Sequence, residues 1–116
     1  MSTEPIAGPP PGAAEATLHS LVKRFREEEA KDLTAVYQLR HTGDQGGLWH
    51  LTISNRHCLL APGLAERPDV TITMAATEWV DLLAGRLDGY TAFVEGRVRV
   101  EGDLSLALRL QDLFGF

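Results

Sequence analysis

The residues in this chain whose types could do chemistry lie near its middle: His41, His50, His57 and the single cysteine, Cys58. Imidazole and thiolate groups act as metal ligands, general bases or nucleophiles when spacing brings them to one point. No pair here stands at HxxxH or CxxC spacing. His50 falls on the polar side of an alternating stretch, and His41 opens a glycine-rich turn. Solvated histidines and a small, buried, inert thiol are therefore the expected roles. The segment Asp44-Gln45-Gly46-Gly47 is followed by no helical pattern, so it is not read as a phosphate cradle. Arg86, Arg97 and Arg99 could draw an anionic headgroup to a cavity mouth, although an exposed strand face accounts for them as well. No catalytic residue, metal ligand or cofactor is expected, and a small enzyme using His50 or His57 is the weakest reading.

Apolar surface is the more informative feature, and it concentrates in residues 76–114. Trp79, Leu82 and Leu83 belong to one short helical pattern, and Tyr90, Phe93 and Val94 to a second. A last helix, 104–114, carries a narrow polar stripe of Ser105, Arg109 and Asp112. Leu104, Leu106, Ala107, Leu108, Leu110, Leu113 and Phe114 occupy most of its remaining circumference. A surface helix needs only about a 100° apolar face, so this helix should be covered on two sides. One side can rest on a sheet and the other needs a partner. Trp79, Leu82, Leu83, Tyr90, Phe93, Val94, Leu106, Leu110, Leu113 and Phe114 are the candidate ligand-binding surface. Taken singly, each is explained by core filling; as a set, with that last helix, they point to a cavity.

The elements that must position this surface follow from periodicity. Residues 1–13 hold four of the six prolines and are expected to be extended or disordered. Residues 14–116 form the single expected domain. Leu18, Leu21, Val22 and Phe25, at i, i+3, i+4 and i+7, predict a helix over 14–31. Period-two alternation predicts strands over 33–40, 48–54, 57–61 and 69–74, with Asn55-Arg56 as a tight hairpin turn. Thr77, Asp88 and Asp103 read as helix N-caps, and Gly85 and Gly96 as helix ends. Val98 and Val100 give a fifth strand over 97–101. Helices set against a run of antiparallel strands make an α+β fold, with four strands in a meander and one sheet face covered.

Net charge is −5, spread along the chain, which argues against nucleic acid as a partner. The basic cluster Lys23, Arg24 and Arg26 sits beside Glu27, Glu28 and Glu29 and reads as a solvated face. A lone cysteine, no apolar run long enough to cross a bilayer and no secretory pattern make a cytoplasmic location the expectation.

Three stretches, in this order, carry a resemblance. They are Pro68-Asp69-Val70-Thr71-Ile72-Thr73-Met74, then Leu82-Leu83-Ala84-Gly85-Arg86-Leu87-Asp88 with Ala92-Phe93, then Glu95-Gly96-Arg97-Val98-Arg99-Val100-Glu101-Gly102-Asp103 before the last helix. Over residues 14–114 the chain resembles the sterol carrier protein 2-like (SCP2) lipid-transfer domain family. The resemblance implies a five-stranded, mostly antiparallel sheet packed against helices. It also implies an apolar tunnel for a fatty acyl chain, acyl-CoA or sterol-like ligand. An SCP2-fold interaction or dimerisation module without a functional tunnel is the alternative, with residues 113–116 as its contact. Transient membrane contact and a homodimer remain open partners. Two departures stand out. Asn55-Arg56 replaces the family's frequent Asn-Gly or Asp-Gly turn, which should cost strain. The sequence also stops just after the last helix, so the tunnel mouth is expected to open to solvent or to be closed by a second subunit.

Overall fold

A computed structural model describes residues 13–44 and 46–116; the proline-rich reading of the N-terminus falls almost wholly outside them. Helix α1 spans Ala13–Lys23 and buries Leu18 and Leu21 completely. It is shorter than the periodicity predicts. Arg26 turns to extended backbone and donates its N–H to Leu113 O at 2.8 Å. That tertiary bond takes the chain out of the helix, and a 3₁₀ turn, Glu27–Ala30, follows.

Five strands form one sheet: β1 Ala35–Thr42, β2 Gly47–Ser54, β3 His57–Pro62, β4 Val70–Ala75 and β5 Arg99–Gly102. Their order is β3-β2-β1-β4-β5. Only β1, β2 and β3 make a meander. Instead of extending it, β4 crosses to the far side of β1 and pairs with it in parallel, while β5 pairs antiparallel with β4. Parallel neighbours need a crossover connection, and residues 63–69 supply it. Gln38 fastens that crossover to the sheet face opposite the main core. Its Nε2 donates to Trp49 O and Gly63 O, and its Oε1 accepts from Ala65 N at 2.7 Å. The predicted polar-face residue Gln38 is therefore buried under chain. Asp69 closes the crossover, accepting Val36 N on its carboxylate at 2.7 Å and donating its own N–H to Val36 O.

On the other sheet face, Tyr37, Leu39, Leu51, Ile53, Val70 and Ile72 form a core with Leu18, Leu21, Trp79, Leu113 and Phe114. Helix α2, Ala76–Leu83, continues directly from β4; its N-cap is Ala75, without a side-chain bond, rather than Thr77. Helix α3, Gly89–Val94, is capped by Asp88, and helix α4, Leu104–Phe114, by Asp103, as expected. Helices α2 and α3 end in glycine-centred reversals at Gly85 and Gly96, where Arg86 N reaches Asp81 O and Arg97 N reaches Ala92 O. The result is an α+β fold with a five-stranded, mostly antiparallel sheet and helices over one face.

Candidate functional site

Between the β4–β5 edge of the sheet and helices α2, α3 and α4 lies an apolar pocket of about 280 Å³. Strand alternation supplies its floor: Ile72 and Met74 from β4, with Val98 and Val100 from the β5 segment. Ile72 stands opposite Val100 in the β4–β5 register, so both point to the same face. Trp79 and Leu82 from α2 form the inner wall, and Leu110, Ala107 and Leu104 from α4 the outer one. Tyr90, Phe93 and Leu108 form a rim open to solvent; Tyr90 is 67% exposed and Leu108 57% exposed. Helix α4 is thus covered by protein on one side only, and its other apolar side faces this pocket.

Of the ten residues singled out from the sequence, Trp79, Leu82, Tyr90, Phe93 and Leu110 line the pocket together. The other five sit elsewhere. Leu113 and Phe114 are fully buried in the core, where the Phe114 ring meets Phe25 at 5.5 Å. Leu113 is therefore no surface contact for a second subunit. Leu106 is half-buried, and its carbonyl accepts the Tyr37 hydroxyl at 2.8 Å. Leu83 belongs to a neighbouring cleft, and Val94 points to solvent. Pocket residues outside that set are Ile72, Met74, Val98 and Val100, read as sheet core, Leu104, Ala107 and Leu108, read only as apolar surface of the last helix, Gly89 and Gln111, left aside, and Phe116, read as part of a subunit contact. Strand alternation placed the first four on the covered face but carried no sign that helices leave a gap there.

The neighbouring cleft is polar, about 630 Å³, and is lined by Arg24, Arg86, Asp88 and the chain at 83–85. It shares Leu82, Gly89, Gln111 and Phe116 with the apolar pocket. Arg24 bridges two carbonyls, Leu83 O at 3.2 Å and Gly115 O at 3.1 Å. Arg86 is held by Asp81 at 2.9 Å, and Arg97 by Glu78 and Glu95. Arg97 and Arg99 face solvent outside both hollows.

His41 departs most from expectation. It is not in a turn but in β1, beside Met74 in the parallel register, and only 6% exposed. Its ring lies against Trp79, centroids 4.7 Å apart and tilted by 36°. Burial pushes its pKa down to about 4, so the imidazole is neutral near pH 7. Its Nε2 and the Trp79 Nε1 have no hydrogen-bond partner among the described residues. His50 bonds Gly63 O through Nδ1 at 3.1 Å, and His57 is exposed. Cys58 packs half-buried against the core, where burial raises its thiol to about 11. These groups do not converge, and no cluster of three potential metal ligands occurs among the described residues.

Fold and pocket define a class: a small α+β domain whose open sheet edge and three helices enclose an apolar hollow. The chain belongs to the SCP-2 sterol transfer family, which it matches over residues 17–115. Mouse hydroxysteroid dehydrogenase-like protein 2 is 30% identical over 103 residues, covering 88% of this chain and 21% of that protein. The chain thus spans about a fifth of the length of the curated relatives it matches. Among solved structures, the palmitated SCP2L2 of Aedes aegypti aligns with a TM-score of 0.73 at 19% identity, covering 90% of this chain and 94% of that one. The inverting sec-alkylsulfatase Pisa1 from Pseudomonas sp. aligns with a TM-score of 0.69 at 23% identity, over 83% of this chain but 15% of that one. No helix among the described residues is long and apolar enough to cross a membrane.

Proposed function

We propose that residues 14–116 act as one carrier domain. It holds the apolar part of a fatty acyl, acyl-CoA or sterol-like ligand in the pocket between β4, β5, α2, α3 and α4, and performs no covalent chemistry of its own. The apolar pocket itself carries this reading. Its size approaches the ~300–1,000 Å³ of common small-molecule sites, and among the described residues that line it Gln111 is the only side chain with an amide or charge. Binding then comes from buried methylenes at about 0.8 kcal/mol each. Roughly fifteen of them, about 12 kcal/mol in all, leave micromolar affinity after an association cost of about 4 kcal/mol. Such a site selects shape and length rather than chemical detail. The palmitated state of the Aedes structure supports an acyl ligand. The scattered histidines, and arginines tied to carboxylates or carbonyls, support a carrier rather than an enzyme. The exposed rim of Tyr90, Leu104 and Leu108 gives a ligand a direct route between the pocket and a bilayer.

Displacement of a fluorescent fatty-acid probe tests this. The wild-type domain should bind the probe at micromolar concentration, and unlabelled palmitate should compete. Ala107 lines the pocket and is half-buried, so Ala107→Trp should fill the space and weaken binding at least tenfold. A domain that binds no acyl probe, or an Ala107→Trp variant that binds as tightly as wild type, would overturn the reading.

A further inference from the structure

We infer that Phe116 is the stop that ends the apolar pocket and sets the longest acyl chain it accepts. This rests on the carrier reading and deepens it. Phe116 borders both hollows, apolar on one side and polar on the other. Its position follows from the backbone. Gly115 takes a left-handed conformation, φ 70°, at the end of α4. Both Gly115 N and Phe116 N then return to Gln111 O, at 2.7 and 3.2 Å. This reversal turns the chain back at the end of the helix, and the Phe116 ring packs half-buried against the core cluster. Gln111 completes the partition from the helix side. Its amide lies so close to Gly89 that a Cβ there would meet Nε2, so the absence of a side chain at position 89 lets the amide close the wall.

A benzyl group held by a one-glycine hinge makes a stop of defined length. An acyl chain growing into the pocket gains apolar contact until it reaches the ring. Beyond it lie Arg24, Arg86 and Asp88, where further methylenes gain nothing. Removing the ring joins the two hollows along their shared wall and lengthens the apolar path. Enlarging it shortens the path. No such effect is expected of Val94, which lines neither hollow.

The experiment is a chain-length series, octanoate to stearate, competing against a fluorescent fatty-acid probe. In the wild type, affinity should rise by about fourfold per methylene and then level off. Phe116→Ala should move the plateau to longer chains, Phe116→Trp to shorter ones, and Val94→Ala should leave it in place. Opposite shifts from two substitutions at one site are not produced by general loosening, so Phe116→Trp carries the test if Phe116→Ala fails to fold. Plateaus that coincide in wild type and both variants overturn the stop while leaving the carrier reading intact. Failure of every protein to bind any member of the series overturns the carrier reading, and the stop with it.

Discussion

His41 shows how one side chain can read as solvated in sequence and be a stability determinant in the fold. Its imidazole is buried against Trp79, and burial alone holds its pKa near 4, below the 6.5 of an exposed histidine. The unfolded chain therefore binds a proton at pH values where the folded one does not. The contribution is fully present above pH 6.5 and is lost as pH falls towards 4. The full window corresponds to about 3 kcal/mol, and roughly 2 kcal/mol of it falls between pH 6.5 and pH 5, before most carboxylates titrate. Urea midpoints measured across that interval should drop in the wild type and stay nearly flat in His41→Phe. A wild-type slope no steeper than the variant's would mean that the buried ring is not neutral. Arg56 is a second single-residue case. With Asn55 it forms the two-residue β2–β3 turn, at φ 50° and 63°. The left-handed region costs a side chain with Cβ about 1 kcal/mol or more, so Arg56→Gly should raise stability by about 0.5–1 kcal/mol in equilibrium denaturation.

At the scale of elements, helix α4 decides whether there is a pocket, because it alone forms the outer wall. Asp103 fixes its start, accepting Ser105 N at 3.0 Å. Tyr37, fully buried in β1, reaches up to Leu106 O. Burial raises the pKa of that hydroxyl, so it remains a donor across the working pH range. Tyr37→Phe keeps the packing and removes the tether. It should cost about 0.5–1.5 kcal/mol and speed amide exchange in α4 more than in α1; equal effects on both helices would show that the bond does not seat α4. The elements also show which parts of the fold could be read from sequence. Alternation located β2, β3 and β4 closely, and Asp88, Asp103, Gly85 and Gly96 marked helix ends because caps are local chemistry. The parallel pairing of β1 with β4 was not legible, since alternation identifies a strand's covered face but not its neighbour. The end of α1 was missed for a related reason: Leu113 O, nearly ninety residues away, captures Arg26 N. In the site, Trp79, Leu82 and Leu110 were legible as apolar residues on helices. Ile72, Met74 and Val100 looked like ordinary sheet core, because only the spacing between layers separates a filled core from a lined hollow.

At the scale of the whole molecule, two of the three helices around the pocket, α2 and α4, are tied together through the end of α1. The Arg24 guanidinium donates to Leu83 O, at the end of α2, and to Gly115 O, just past α4. These contacts span 59 and 91 residues of sequence, so one side chain joins the end of the first helix to the ends of α2 and α4, two of the elements that shape the site. Arg26 N on Leu113 O and the Phe25–Phe114 contact add to the same junction. A planar guanidinium with several fixed donors can serve two carbonyls at once, whereas an ammonium on one flexible stem acts as a point donor. Arg24→Ala should therefore lower stability by about 1–2 kcal/mol, after allowance for its partial exposure. Arg24→Lys should recover less than half of that loss. If the junction holds the pocket as well as the fold, Arg24→Ala should also weaken fatty-acid probe binding several-fold under conditions where the variant is fully folded. Tyr37→Phe compared at matched stability supplies the control, since it loosens α4 without touching α2. Equal stability of Arg24→Lys and wild type would show that bridging two carbonyls contributes nothing beyond a positive charge at the end of α1.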